Sequence, residues 1–545
     1  MNVQILASID PAVLQQGPLF AQFMSRPEGG VPPFLHGVAA RDEYWQEIIE
    51  RSRTARLAID ADARRDMFEA LAAYNRRLGA SGDILDRLGR AGRDDVFFVV
   101  TGQQPGILGG ALLVGYKIAT AVSLSAYLER RFGIECVPLY WCGSDDADFQ
   151  EIRTFECPTP ALEPVTVTVP ADAHTGTQPV GSIEARWTET IWRSVAPLLE
   201  HYPSCGTIDR LVAASTAGDA DHGDATAALL IALFGGKLAA VDARAGYLKP
   251  PLRDLFIDYF DREERVNEIV RARGTALERA GYHAQLEPGP DAGIFLVEKG
   301  ERRKVPHASR SLLRDALHAR IESCSPGVIL RTLAQDRLFQ PLAAVLGPAE
   351  IAYRAQIDEL HDLFSIPSPA PVPRCGATWI PRAVAERCAG TGLAWEDLLK
   401  TPQALADLLG AAALPRETAD ESERLAMRLR RELDQYLSSV SNAVTGKPLH
   451  KYRTRVTEAG RRLEQAIGQI GEAARQAASD NWPWLPRIDA LIRPRGKPQE
   501  RTVSVLLPFL AGIDEAPDLL TGLAGRFLDD LLDGRPGHYV YSFDS

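Results

Sequence analysis

The sequence predicts an α/β protein with a parallel sheet at its core, two β-rich insertions and a long helical arm. Three observations support this fold class. Residues 96–152 show the pattern strand, helix, strand. A stretch rich in Pro, Thr and Val with period-two alternation, and later a stretch with two short strand patterns, interrupt the chain. From residue 420 onward, apolar residues recur at three- and four-residue spacing, which is typical of long paired helices.

The strand–helix–strand unit places two loops at one edge of the predicted sheet. Phe97 to Val100 is an apolar run that stops at a Thr-Gly pair, typical of a buried strand. Residues 111–132 have helical periodicity, and Val137 to Trp141 predicts the next strand. A crossover of this length is right-handed and joins parallel strands. Both strand ends therefore open at the edge where α/β sheets bind ligands.

The first of these loops, TGQQPGILGG at residues 101–110, is rich in glycine. Its glycines would let the backbone approach a phosphate and would aim helix N–H groups at it. The spacing matches neither the dinucleotide-binding fingerprint nor the Walker A loop. Gln103 and Gln104 add two amides that can donate and accept hydrogen bonds.

An acidic cluster, Asp145, Asp146 and Asp148, follows the second strand. One aspartate could cap the next turn while the others are solvated. We favour a functional role, with a hard divalent cation or a substrate amine as the counter-charge. Lys117, about two turns into the helix, either reaches a phosphate or extends out of an apolar face.

The remaining patterns divide the chain into seven segments. Residues 1–153 hold N-terminal helices, predicted over residues 1–95, and the first half of the core. Further core strands are predicted at residues 238–241, 342–346 and 370–379, and the second insertion holds two strand patterns, YHAQLE and IFLVEKGERRKV. The other segments are a first β insertion at 154–187, core at 188–280, a second insertion at 281–306, core at 307–380, the arm at 381–485 and a return to the core at 486–545.

Composition indicates an ordinary globular protein. Of its 545 residues, 45% are hydrophobic and 24% charged, which argues against a disordered chain or a membrane protein. The net charge of −11 argues against nonspecific nucleic-acid binding. The first residues do not resemble a secretory signal, and the seven cysteines form no C-x-x-C pair. We therefore expect a cytoplasmic protein with reduced thiols.

Several blocks together resemble one known family, the bacillithiol biosynthesis cysteine-adding enzymes, or BshC family. TGQQPG, a downstream YKI, PLYW and then SDDADFQEI resemble its signature. The segments GYHAQ at 281–285, SPGVILRTLAQD at 325–336, LGPAEIAYRAQ at 346–356 and PQER at 498–501 resemble family blocks in the same order. The chain departs from the family pattern where Asp145 replaces Glu, Ala147 replaces His, Gln150 replaces a frequent Asp and Gly293 replaces Asn.

The resemblance implies a Rossmann-like core with connecting-peptide-like insertions and a coiled-coil arm that forms a homodimer through residues 420–478. It implies a ligase that joins cysteine to glucosaminyl malate to form bacillithiol. ATP and Mg²⁺ are hypotheses, because a free carboxylate needs activation before it forms an amide. Two alternatives remain, a nucleotidylyltransferase-like enzyme acting on another small acid and a non-catalytic dimeric scaffold with a decayed pocket, which Ala147 favours.

The candidate site residues combine the residue patterns with the family blocks. Asp145, Asp146 and Asp148 are the catalytic candidates, and Asp145 or Asp146 would be the base if the amine must lose a proton. The candidates on the later helices could equally form ordinary surface ion pairs. The predicted substrate- or nucleotide-binding residues are Thr101, Gly102, Gln103, Gln104, Gly106, Lys117, Arg331, Gln335, Asp336, Glu350 and Tyr353. Arg501 could be a structural clamp, and His222 is more often structural than catalytic.

Overall fold

The computed structural model describes residues 3–14, 16–56, 59–93, 95–289, 293–306, 309–389, 394–399, 416–443, 454–462 and 485–543, together with residues 465 and 469. They fall into two compact units, Met1–Ala385 with Pro494–Ser545, and Glu386–Arg493. No described helix is both long enough and apolar enough to cross a membrane.

The strands and helices are named here in chain order. The strands are β1 Val3–Ile9, β2 Val96–Gln103, β3 Glu135–Cys142, β4 Thr154–Pro158, β5 Pro164–Thr168, β6 Ala239–Asp242, β7 Ile294–Glu298, β8 Glu301–Lys304, β9 Cys324–Pro326, β10 Ala343–Leu346, β11 Ala370–Pro373, β12 Gly376–Trp379 and β13 His538–Phe543. The helices are α1 Pro18–Ser25, α2 Asp42–Arg56, α3 Ala61–Arg77, α4 Gly82–Arg90, α5 Leu112–Phe132, α6 Phe149–Ile152, α7 Arg186–Leu199, α8 Cys205–Ser215, α9 His222–Leu233, α10 Arg253–Asp261, α11 Glu263–Arg279, α12 Arg310–Ala319, α13 Val328–Phe339, α14 Pro348–Ile357, α15 Glu359–Leu363, α16 Arg382–Ala389, α17 Trp395–Leu398, α18 Arg416–Ala443, α19 Leu485–Ile492, α20 Leu506–Ala511 and α21 Ala516–Leu532.

The core is a five-stranded parallel sheet in the order β11-β10-β2-β3-β6. The chain builds outward from β2 through β3 to β6, then crosses back to add β10 and β11 on the other side. This order leaves a switch point between β2 and β10, where the two halves of the sheet diverge. The predicted Rossmann-like parallel core is confirmed.

Aromatic packing explains why β2 lies in the centre of the sheet. All residues from Val96 to Val100 are buried. The Phe98 ring stacks on Phe68 of α3 at 5.5 Å between centroids and meets Phe339 of α13 edge-on at 5.4 Å. Burying such rings contributes about 2 kcal/mol each, so this cluster fixes helices from distant parts of the chain against one strand.

A second sheet, in the order β1-β13-β12, brings the two ends of the chain together. β13 pairs antiparallel with β1 and parallel with β12. The prediction that residues 1–95 are helical is therefore wrong for β1. The pattern at 370–379 predicted one strand, but it forms β11 and β12, which belong to different sheets. Partners far away in sequence decide both outcomes, and a local pattern does not contain them.

A buried ion pair joins the second sheet to the C-terminal segment. Arg374, between β11 and β12, donates two hydrogen bonds to Glu500 at 2.9 and 2.5 Å, and both side chains are at most 5% exposed. The side-chain amide of the preceding residue, Gln499, accepts from the main-chain N–H of Trp379 and donates to its carbonyl, at 2.8 and 3.0 Å. The PQER segment therefore fastens β12 in place.

Antiparallel strands occur within both stretches of the sequence that were expected to be insertions. β4 and β5 form a hairpin, and β7 pairs with β8 and β9. The predicted strand YHAQLE is wrong, because residues 282–287 are irregular. The side chain of Gln356 accepts hydrogen bonds from the N–H groups of Gln285 and Leu286 at 3.0 and 2.9 Å and donates to the Leu286 carbonyl at 2.7 Å. One side-chain amide thus replaces the strand partner.

The second unit contains the predicted arm. α18 is one long helix, residues 454–462 are helical, and a Cβ added to Gly460 would lie 3.6 Å from the Leu433 side chain. Leu429, Leu433 and Val440 are only half-buried among the described residues. The turn at 445–448 and the seam positions Leu449, Tyr452, Leu463, Ala466, Ile470 and Ala473 lie outside the described residues. Dimerisation through residues 420–478 stays a prediction.

The Arg374–Glu500 pair gives a test of the core. Glu500→Gln leaves a buried guanidinium without its counter-charge, so the free energy of unfolding should fall by about 3 kcal/mol in urea denaturation at neutral pH. The matched control is Glu189→Gln, which removes an exposed pair with Arg193 and should cost less than ~0.5 kcal/mol. Equal effects of the two substitutions would contradict the structural role of Glu500.

Two buried histidines give a pH test. His222 donates from Nε2 to the Pro105 carbonyl at 2.8 Å, and Nδ1 lies 3.3 Å from the Thr188 hydroxyl, which can donate to it when the ring is neutral. Burial lowers the pKa of His222 and of His538 from 6.5 to about 4. Between pH 4 and pH 6.5 these histidines bind protons only in the unfolded chain. Their contribution to the free energy of unfolding is therefore fully present above pH 6.5 and is lost as the pH falls toward 4.

Urea denaturation of the wild type and of His222→Gln across that pH range measures this effect. In the variant, the slope of the free energy of unfolding against pH should be smaller by about 1.4 kcal/mol per pH unit, because one titrating group is gone. His201→Gln, which removes an exposed histidine, is the control and should keep the wild-type slope. A His222→Gln slope equal to that of the wild type would show that His222 is not buried in its neutral form.

Candidate functional site

A cleft of about 350 Å³ lies at the switch point of the parallel sheet. Its walls come from the ends of β2, β3 and β10, the start of α14, one side of α13 and the segment after Pro498. The charged lining residues among those described are five cations and three carboxylates, namely Lys117, Arg331, Arg354, Arg374 and Arg501, and Asp146, Glu151 and Glu350. The cleft can therefore hold a ligand with both anionic and cationic groups.

Lys117 holds the floor of the cleft together. Its side chain is only 2% exposed, and its ammonium donates to the Gly102 carbonyl at 2.7 Å and to Gln103 Oε1 at 2.9 Å. It also pairs with Glu350 Oε2 at 2.5 Å. Burial lowers the pKa of Lys117, and Glu350 opposes that shift. All three N–H donors are used, so Lys117 neither extends to solvent nor keeps a donor for a phosphate.

The start of α14 depends on the same carboxylate. Glu350 Oε2 accepts a hydrogen bond from the Gly347 N–H at 2.6 Å and so caps the helix that follows β10. The Glu350 side chain is 25% exposed. Its second oxygen can therefore accept a hydrogen bond from a ligand.

Bonds within the protein determine what the β2 loop can offer a ligand. Because Gln103 Oε1 accepts from Lys117, its amide N–H donors are the groups left for the cleft, and they require an acceptor on the ligand. Gln104 bonds instead to the Glu151 carboxylate. The Thr101 hydroxyl donates to the Val345 carbonyl at 3.0 Å and ties β2 to β10. A side chain at Gly102 would meet the Trp141 carbonyl at 2.9 Å, so only glycine fits there.

The glycine-rich part of the loop does not face the cleft. A Cβ on Gly106 would lie 2.5 Å from the Gly110 Cα, and Gly106 does not line the cleft. The Leu112 N–H at the start of α5 donates to the Val503 carbonyl at 2.7 Å. The helix N-terminus that the sequence assigned to a phosphate is therefore occupied by the C-terminal segment. These glycines allow close backbone packing.

The three aspartates after β3 have different surroundings. Asp145 is 2% exposed, does not line the cleft, accepts from the Ser325 hydroxyl at 3.1 Å and lies 3.2 Å from the Arg331 guanidinium. Asp146 lines the cleft, 30% exposed and 3.7 Å from Arg331. Asp148 caps α6, accepting from the Gln150 and Glu151 N–H groups at 3.1 and 3.3 Å. Only Asp146 can meet a ligand in this arrangement.

The charge state of Asp146 follows from its neighbours. Burial opposes its ionisation, but Arg331 and the N–H groups of Ala147 and Asp148 outweigh burial and lower its pKa. Asp146 therefore stays ionised at neutral pH. It is suited to hold a substrate ammonium and less suited to accept a proton.

The residues predicted on α13 and α14 fall into two layers. Arg331, Gln335 and Tyr353 line the cleft, and burial raises the pKa of Tyr353 to about 12. Asp336 lies beneath it, fully buried, and accepts from Arg354 at 2.7 and 3.2 Å and from His361 at 2.9 Å. Asp336 thus holds Arg354, which reaches the cleft.

Among the charged lining residues, Glu151, Arg374 and Arg501 were not predicted from the sequence to bind substrate. Glu151 belongs to the SDDADFQEI block, but only the three aspartates of that block were predicted to be functional. Arg374 has its buried partner Glu500 far along the chain. Arg501, which the sequence suggested as a structural clamp, faces the cleft, whereas Gln499 and Glu500 hold the chain in place. No described carboxylate lies within ion-pair distance of Arg501. The family resemblance of PQER was the available signal for this arginine.

Comparison with known proteins gives the same family over most of the chain. Residues 8–375 match the model described as bacillithiol biosynthesis BshC, N-terminal Rossmann-like domain. A protein of Koribacter versatilis named "Putative cysteine ligase BshC" is 31% identical over 487 residues, covering 84% of this chain and 87% of the relative. Proteins with the same name from Geobacillus thermodenitrificans and Solibacter usitatus are 26% and 27% identical, covering 84% and 86% of this chain and 87% and 89% of theirs. Because the family model spans more than half of the residues, the chain belongs to the BshC family of bacillithiol biosynthesis.

Proposed function

We propose that this protein is a ligase that joins the carboxyl group of cysteine to the amine of glucosaminyl malate and so forms bacillithiol. The name shared by its relatives supports the reaction class. The observation that carries the proposal is the mixed lining of the cleft. Hydrogen-bond donors for oxyanions and carboxylates for an ammonium face one space at the switch point.

The geometry supports a division of roles among the lining groups. The Gln103 amide, Arg331 and Arg501 provide donors for carboxylate or phosphate oxygens. Asp146, kept ionised by Arg331, provides a counter-charge for the glucosamine ammonium. Holding both reactants in one cleft lowers the entropy cost of bringing them together.

ATP as the activating reagent is part of the proposal. A free carboxylate is a poor acyl donor, so the cysteine carboxyl group must first become an adenylate or an acyl phosphate. No group of three or more His, Cys, Asp or Glu suited to a metal occurs among the described residues. Mg²⁺ would therefore enter bound mainly by the nucleotide phosphates and water, as it commonly does.

We also propose that the protein acts in the cytoplasm as a homodimer. The apolar seam of α18 supports the dimer, since Leu429, Leu433 and Val440 are only half-buried and Tyr436 is 51% exposed among the described residues. A second copy of the same helix would cover such a seam.

Mass spectrometry of the purified protein with cysteine, glucosaminyl malate, ATP and magnesium tests the reaction. We expect the cysteinyl amide, with AMP if an adenylate forms or ADP if an acyl phosphate forms, and no amide when any component is omitted. Folded dimer without amide would contradict the proposal. Nucleotide transfer to another acid would then indicate the nucleotidylyltransferase reading, and absence of ligand binding would indicate a scaffold.

Substitutions of Gln103 test the assigned direction of its amide. Gln103→Ala removes the donor to the ligand and also an acceptor of Lys117, and should lower kcat/KM by about tenfold or more. Gln103→Glu places a carboxylate where the ligand presents an oxyanion and should lower kcat/KM by about 10²-fold or more. Steady-state kinetics of amide formation measure both. A Gln103→Glu enzyme more active than Gln103→Ala would show that the ligand does not present an acceptor there.

A further inference from the structure

Glu151 differs from the other two carboxylates of the cleft in having no basic partner. Among the described residues, Asp146 lies 3.7 Å from Arg331 and Glu350 lies 2.5 Å from Lys117, but no lysine or arginine lies within ion-pair distance of Glu151. A carboxylate paired with a cation is held in its ionised form and is a weak proton acceptor. Glu151 is not restrained in this way.

The short helix α6 fixes Glu151 at the rim of the cleft. Asp148 accepts the Glu151 N–H at 3.3 Å, and Phe149 and Ile152 of the same helix are buried. The Phe149 ring stacks on His174 at 5.0 Å between centroids. With both apolar neighbours anchored, the carboxylate is directed to the space that Gln104 and Asp146 also line.

Burial and charged neighbours together determine the pKa of Glu151. Although the residue as a whole is exposed, desolvation of its carboxylate and the charges of Asp148 and Asp146 raise its pKa. The hydrogen bond with Gln104 and the more distant charge of Arg501 oppose that shift. The raised pKa brings Glu151 nearer to neutrality, where a general base is most effective.

We propose that Glu151 is the general base that removes the proton from the amine nucleophile, and that Gln104 positions its carboxylate. This inference rests on the proposed amide-forming reaction. Asp146 holds the ammonium, and one proton passes from the amine nitrogen to a Glu151 oxygen. The nitrogen lone pair then forms the C–N bond to the activated cysteine carbonyl, and the C–O bond to the phosphate-bearing group breaks, with that group leaving with the electron pair. The second nitrogen proton passes to water as the amide forms.

Comparing hydroxylamine with glucosaminyl malate as the nucleophile distinguishes a variant that lacks the general base from one whose site no longer activates cysteine. Hydroxylamine is neutral at neutral pH and needs no base before it attacks, so it reports on formation of the activated carboxyl group. Full-length Glu151→Gln should form the cysteine hydroxamate at the wild-type rate with ATP and magnesium. The same variant should form the amide with glucosaminyl malate about 10²-fold more slowly.

The pH profile is the second readout. The wild-type kcat for amide formation should fall on the acidic side as Glu151 becomes protonated, and Glu151→Gln should lack this limb. Gln104→Ala removes a hydrogen bond that favours the ionised form, so its acidic limb should move to higher pH. Glu163→Gln, an exposed glutamate outside the cleft, is the matched control and should behave as the wild type.

The outcomes separate the two proposals. Amide formation by Glu151→Gln at the wild-type rate, or a parallel loss of amide and hydroxamate, would overturn the role of Glu151 as the base while leaving the ligase reaction intact. If the wild type forms neither product, the ligase reaction itself is wrong and the base assignment falls with it.

Discussion

The cleft depends on one buried ammonium group. Lys117 joins the last residues of β2 to the first turn of α14 across the switch point, and it does so through three acceptors at 2.5 to 2.9 Å. A buried lysine without compensation would be strongly destabilising, so Glu350 and Lys117 require each other. The same contact settles which atoms of Gln103 remain for a ligand. The Lys117 ammonium therefore both holds the cleft together and orients the Gln103 amide toward a ligand.

Buried carboxylates position the other cations of the cleft. Asp336 holds Arg354, Glu500 holds Arg374, and Asp145 holds Arg331, and all three carboxylates are at most 2% exposed. Such pairs contribute little net stability, because desolvation of the charges offsets their attraction. They do orient guanidinium groups before a ligand arrives, which is what electrostatic stabilisation of a transition state requires. These three buried carboxylates therefore act through their basic partners.

The sequence predicted the core because its signals are local. An apolar run, a helical period and a second apolar run are enough to specify parallel strands, and the edge that binds ligands follows from handedness. Partners distant in the chain could not be inferred. The glycines at 106 and 110 predicted a close approach to a phosphate, but Gly106 packs against Gly110, and the Gly110 carbonyl accepts a hydrogen bond from the Val505 N–H. Likewise, Asp145 and Glu151 differ in role because of Arg331 and Ser325, which lie more than 170 residues away from either.

The core is interrupted by the arm and is completed only after it. Arg374 and β12 precede the arm, while Glu500, Arg501 and β13 follow it. During synthesis, a nascent chain that has already produced β1, the parallel sheet and the whole arm still carries an uncompensated arginine and two unpaired strands. A premature stop before Glu500 therefore leaves Arg374 without its partner and the cleft without Arg501, and a stop between Arg501 and β13 still leaves β1 and β12 unpaired. Quality control would recognise such a fragment as unfolded despite its length.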